Sequence, residues 1–165
     1  MRPYRIAYEH PAQLLASTFL RALAQGDHAL VWERLSRESR GLLEGRYAAS
    51  AHIALHRAAA VGAEAGDARL DLVVGPICAT ALAVTGDAER LLSMGVSAAR
   101  LVDRATAYVL LLPDFGEERI VREEDWRPAH LLAFVHESRE WLVDVGRTAE
   151  LSADAGLPDP LGQLA

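Results

Sequence analysis

The chain holds a single cysteine, Cys78, so no disulfide can form within it. Cys78 lies in the apolar run Ile77-Cys78-Ala79, where a buried structural thiol is expected. No uncharged apolar run approaches the ~18 residues of a membrane span, so no membrane segment is expected. The opening residues MRPYRIAYEHPAQ lack the apolar stretch of a signal peptide, and a cytoplasmic location is expected. Basic blocks are missing too. The 17 basic residues are outnumbered by 23 acidic ones, for a net charge of −6. With no basic stripe, and with Glu117-Glu118 and Glu123-Glu124-Asp125 set to repel phosphates, nucleic acid is excluded as a general partner. There is no glycine-rich phosphate loop and no Gly-x-Ser-x-Gly turn, and Cys78 has no neighbouring base in sequence. No cofactor is implied.

What is present is a core. A chain of 165 residues that is 51% apolar can bury a full hydrophobic interior and is not a disordered segment. We expect one domain over residues 1–150 and a loose tail over 151–165, which carries Gly156, Pro158, Pro160 and Gly162. The Ala, Leu and Arg bias is that of GC-rich coding and suits a bacterial source.

Residues 1–10 read as an extended lead-in. Pro11 suits a first helical turn, and Leu15, Phe19, Ala22 and Leu23 then recur at helical spacing up to Gly26. Asp27 caps a second helix over His28–Leu35, and residues 36–41 read as a turn. Leu42–Val61 is the longest helical candidate. Its second face, Ala48, Ala49, His52, His56, Ala59 and Ala60, is small and nearly uncharged, which predicts burial on more than one side. Another helix of this chain or a second copy of it is the expected cover, the second giving the expected homodimer. Glycines, with Gly75-Pro76, divide 62–95 into short pieces. These are expected to be helices over 67–74, 77–84 and 87–94, the last capped by Asp87; Leu70–Val74 could instead be a strand.

From Val96 the pattern becomes strand-like. Ser97–Val102 and Ala105–Leu112 flank the turn candidate Asp103-Arg104, and the second run is apolar on both faces, as a central strand is. Pro113–Gly116 reads as a turn and Glu117–Asp125 as a solvated excursion. Ala129–Val145 reads as two strands joined by Ser138-Arg139. That loop pairs Glu137 with Glu140, His136 with Trp141, Val135 with Leu142 and Phe134 with Val143. His130, Leu132, Phe134 and His136 then share a face with Trp141, Val143 and Val145, and Asp144 points the other way.

Phe19–Ser36 (FLRALAQGDHALVWERLS) and Leu131–Gly146 (LLAFVHESREWLVDVG), in the order helices and then sheet, resemble the nuclear-transport-factor-2-like superfamily, which includes ketosteroid isomerase and small polyketide cyclases. The resemblance implies an α+β fold. Three N-terminal helices would pack in the concave face of a curved, mainly antiparallel sheet, with extra short helices in 62–95 and a pocket at the mouth of the cone.

Candidate site residues follow. Trp32, Tyr47, Tyr108, Phe134, His136 and Trp141 are expected around the pocket; as aromatics on helices and strands, most are more simply core. Tyr108 and His136 are the candidates for catalysis, because acid–base work on a carbonyl needs a donor and a base that converge. The carboxylates of the isomerases find no matching positions here. His52 and His56, four apart on one expected helix, could bind a metal; without a third ligand in view, no metal is expected. His130 and His136 are ~20 Å apart along one strand and cannot share an atom. Two functions remain: a non-catalytic dimeric module that binds a small apolar molecule, and a small-molecule isomerase, dehydratase or cyclase.

Overall fold

Pro11 opens the first helix, α1 (Pro11–Gln25), in the computed structural model of the chain. The structure describes residues 5–7, 9–63, 69–113 and 127–162. The expected turn at 113–116 lies mostly outside the described residues, and the excursion at 117–125 wholly so. His10 caps α1: its Nδ1 accepts the Ala12 N–H at 3.1 Å, while Gln13 Oε1 accepts the His10 N–H at 3.0 Å. Gly26, with φ 65°, closes the helix in the left-handed conformation. Leu15, Phe19, Ala22 and Leu23 are buried, as their spacing predicts. Asp27 caps α2 (His28–Glu33) by accepting the Leu30 N–H.

The long helix expected over 42–61 is two helices. The first, α3 (Arg37–Ala51), starts early because the Ser36 hydroxyl accepts the Ser39 N–H, so the expected turn at 36–41 is its first turn. It ends at His52, whose φ of 54° is left-handed, and α4 (Leu55–Ala63) follows. Histidine tolerates that conformation better than most residues, and no Gly or Pro marks the break. The small residues are thus divided between two helices that pack on each other and on α5 (Leu70–Thr85). The unbroken Ala-rich face does not exist.

The break expected at Gly75-Pro76 is absent, and α5 runs through it. An interior proline costs ~3 kcal/mol because it deletes a hydrogen bond. Here Pro76 and Leu72, whose carbonyl loses its donor, are both exposed, so water can take the carbonyl. Val73, Val74, Ile77, Cys78 and Ala81 are buried on the other side, at ~1.5–3 kcal/mol for each large side chain. After Gly86, Asp87 caps α6 (Ala88–Ser93) as expected.

The strands are β1 (Arg5–Ala7), β2 (Gly95–Val96), β3 (Ala99–Leu101), β4 (Thr106–Leu112), β5 (His130–Glu137) and β6 (Glu140–Val143). They form one antiparallel sheet in the order β1-β3-β4-β5-β6, with β2 also on β4. The sheet is a strongly curled half-barrel. The lead-in is therefore partly a strand, and β4 is central. From Val96 to Arg100 there are four steps, but only three from their partners Leu111 to Tyr108, so β2 and β3 are one edge strand with a bulge. The Ser97 hydroxyl fills the bulge. It accepts from the Leu110 N–H at 2.8 Å and Arg100 Nη1 at 2.9 Å, and donates to the Ala98 carbonyl at 2.9 Å.

The β5–β6 register is the expected one, pair for pair. Ser138 (φ 50°) and Arg139 (φ 68°) both adopt left-handed backbone, as a two-residue hairpin loop requires. The last strand stops at Val143. Asp144 then caps α7 (Val145–Ala155) by accepting the Arg147 N–H at 2.7 Å. The expected loose tail thus begins as the end of α7, over 151–155, and Leu161 beyond it is 1% exposed. Two cores result. Val109, Leu111, Leu132, Phe134 and Val143 pack with the N-terminal helices. Tyr108, Leu131 and Ala133 form the opposite face, with Leu151 of α7 and Leu157 packed against them.

Candidate functional site

The parity of β5 governs where chemistry can sit. Tyr108 pairs with Ala133 and shares its face, while His136 and Trp141 pair on the helix-facing side. Tyr108 and His136 therefore lie on opposite faces of the sheet. They cannot act on one substrate atom, and the acid–base pair expected from them is not assembled.

The other expected pocket residues are packing residues. Trp32 and Phe134 belong to the helix-side core, and Tyr47 and Trp141 pack against it. Arg40 stacks its guanidinium 5.6 Å from the Trp32 ring centre. Trp141 stands between two imidazoles, with its ring 4.7 Å from His10 and 5.2 Å from His136. Burial first, and His136 second, hold His10 below the usual histidine pKa. His136 itself is exposed. His52 caps α3 and His56 lies in α4, both exposed, so they do not share a helix face. Among the described residues no three metal-ligating side chains cluster. Cys78 is buried, and its thiol pKa is pushed up to about 11, by burial first and then by Asp71. Asp144 faces away from Trp141, as expected, and is spent on structure. Its Oδ2 accepts from Ser36 Oγ at 2.8 Å and its Oδ1 caps α7.

Two openings stand out among the described residues. A cleft of about 80 Å³ lies between α7 and the β3–β4 turn, over Tyr108, Leu131 and Leu151, with Asp103, Glu150, Asp154 and Arg147 also lining it. Arg147 is bound to Glu150 at 2.9 Å, so the cleft's cation is already paired. The second opening is a cavity of about 220 Å³ where α5 and α6 meet the end of the sheet. Its walls are Thr85, Arg90, Met94, Pro113, Ala129 and His130.

His130 is the distinctive group there, and it is only 5% exposed. It pairs with Leu111 on the helix-facing side of the sheet, the face predicted to carry it. Its Nδ1 lies 3.2 Å from the Pro158 carbonyl oxygen. A carbonyl only accepts, so Nδ1 carries the hydrogen, and Nε2 is left as a bare lone pair in the neutral ring. The tail that supplies Pro158 is itself pinned: Gly162, at φ 62°, lies so close to Thr80 of α5 that no Cβ would fit. Arg90 is placed just as deliberately. Its side chain lies over Gly86, where an added Cβ would meet Cδ at 2.9 Å and Nη1 at 3.0 Å. The Thr85 hydroxyl donates to the Ala81 carbonyl at 2.6 Å, so it offers the cavity acceptor capacity only.

Sequence reasoning put the emphasis on His136, the imidazole beside the tryptophan, and missed Arg90 altogether. The helix-face parity of His130 was the signal available. Comparison with protein-family models, with curated proteins and with solved structures found no match for this chain.

Proposed function

We propose that the chain is a non-catalytic module that binds one small molecule in the cavity between α5, α6 and the His130 end of the sheet. The observation that carries this reading is His130, buried, with one ring nitrogen held by Pro158 and the other without a partner among the described residues. Met94, Pro113 and Ala129 add apolar wall for the body of a ligand. At about 220 Å³ the cavity is below the ~300 Å³ at which drug-sized pockets begin, so the occupant is small. The separation of Tyr108 from His136 supports a binding role over isomerase, dehydratase or cyclase chemistry.

Membership of the nuclear-transport-factor-2-like superfamily is part of the proposal. Helices followed by a curled antiparallel sheet support it. Pairing with a second copy belongs to it too and rests on less, namely Leu55 and Leu72, exposed on the neighbouring helices α4 and α5. A dimer mass by light scattering at tens of micromolar supports pairing; a clean monomer removes it.

Backbone shift mapping with a mixture of small fragments tests the binding site. Shifts clustered at Thr85, Arg90, Met94 and Ala129 are expected. Shifts confined to Val102, Tyr108 and Leu151 would move the site to the α7 cleft and refute the reading.

A further inference from the structure

We propose, resting on that binding site, that its ligand is a small monocarboxylic acid with a short apolar body, its carboxylate on Arg90 and a donor on its second carbon facing His130. Three observations lead there.

The first is charge. Among the described residues, Arg90 is the cation that lines the cavity, and no acid lines it. Its guanidinium makes no ion pair with a described residue. A guanidinium is a planar fork that matches a carboxylate with two parallel hydrogen bonds, so an acid head is its natural complement. The chain carries a net charge of −6, which discourages anions in general. With a cation and no acid among its described wall residues, the cavity is a local exception to that field.

The second is the tautomer. Because His130 Nδ1–H is spent on Pro158, its neutral ring offers Nε2 as an acceptor. Thr85 Oγ1, having donated to Ala81, is also an acceptor. Two acceptors in the wall call for a donor on the ligand. A hydroxyl beside the carboxylate fits better than a plain acid, and a second carboxylate would be repelled by both.

The third is preorganisation. A floppy surface arginine loses side-chain entropy when it binds. The stem of Arg90 lies over Gly86, a residue at φ 113° that has no side chain to push it away, which favours this placement before a ligand arrives. His130 is fixed by a tail that crosses to Thr80 at Gly162. Two left-handed glycines, well apart in sequence, each hold one wall group of the same cavity.

The size sets the body. Met94, Pro113 and Ala129 offer apolar contact for a few carbons, and about 220 Å³ suits a small body. A four-carbon 2-hydroxy acid is the right scale.

The test uses the full chain and three probes, 2-hydroxybutyrate, butyrate and butyramide, with His130 ring nitrogens observed by ¹⁵N NMR. The expected order of affinity is 2-hydroxybutyrate over butyrate over butyramide. Arg90→Gln should weaken the two acids at least tenfold and leave the amide unchanged. Arg90 is exposed, so that variant should fold as the parent does, which amide chemical shifts will show. If butyramide shifts His130 as strongly as butyrate and Arg90→Gln changes neither, the site stands and the carboxylate assignment falls. If none of the three moves His130 at tens of millimolar, the binding site falls with it.

Discussion

Removing the Asp144 carboxylate should be the costliest single polar change in this chain. The side chain is 3% exposed and has two jobs. One oxygen accepts the Arg147 N–H at 2.7 Å and caps α7, a role worth ~1 kcal/mol. The other accepts the Ser36 hydroxyl at 2.8 Å, a hydrogen bond to a charged group worth ~1.5–3 kcal/mol. Ser36 keeps a fallback, because its oxygen is 2.7 Å from Ser39 Oγ. Allowing for that, Asp144→Ala should lose about 3 kcal/mol. Asp144→Ser retains a cap and should lose about 1 kcal/mol less than Asp144→Ala. Urea denaturation measures both, with an unchanged slope showing that the comparison is sound. A loss below ~1 kcal/mol for Asp144→Ala would refute the reasoning, because a buried cap and a buried charged hydrogen bond cannot both be worth so little.

Stability should also depend on pH through His10. Its folded pKa is lowered, so the unfolded chain binds the proton more readily. The stabilisation is complete above the unfolded value near 6.5 and is lost as pH falls from there through the lowered folded value. His136 adds to the effect by repelling the imidazolium, and His10→Asn, which keeps a capping oxygen, should flatten the profile measured by thermal melts at pH 5 to 8. Gly86→Ala should cost roughly 1–3 kcal/mol, since a side chain at φ 113° is strained and would displace Arg90. A thermal melt checks the stability; an unchanged melting temperature would show that the left-handed glycine is dispensable.

The hairpin was legible in sequence because one feature determines the rest. Once Ser138-Arg139 is the loop, every pair follows, and the parity of Phe134 and Val143 against Leu131 and Leu142 follows with it. The helices with polar caps were legible for the same reason: Asp27 and Asp87 each mark a start through one side-chain hydrogen bond. What failed was punctuation without a marker, and a marker without punctuation. His52 ends α3 with a histidine in a left-handed turn, and nothing in composition distinguishes that from a helical histidine. Gly75-Pro76 looks like a break, yet packing on one side and water on the other carry α5 through it.

The candidate site was only half legible. The face that bears His130 and His136 was correct, but the opening at the His130 end was not read. That depends on where α5 and α6 lie against the sheet, and the misread Gly75-Pro76 concealed it. Tyr108 was placed in the wrong company for a different reason. The β4–β5 register is not set by a short turn: residues 113–129 separate the two strands, so no loop length told which face of β4 joins Phe134. The tail was read from its prolines and glycines as loose. Its buried Leu161, and the close contact of Gly162 with Thr80, come from packing that composition does not report.

The state of the His130 ring in the free protein tests the account most directly. A ¹⁵N spectrum of the ring at neutral pH should show Nδ1 protonated and Nε2 bare, with the Nε2 signal moving when a ligand enters the cavity. A ring with Nε2 protonated and Nδ1 bare would mean that the Pro158 hydrogen bond does not set the tautomer. The cavity would then lack the acceptor on which its binding role depends.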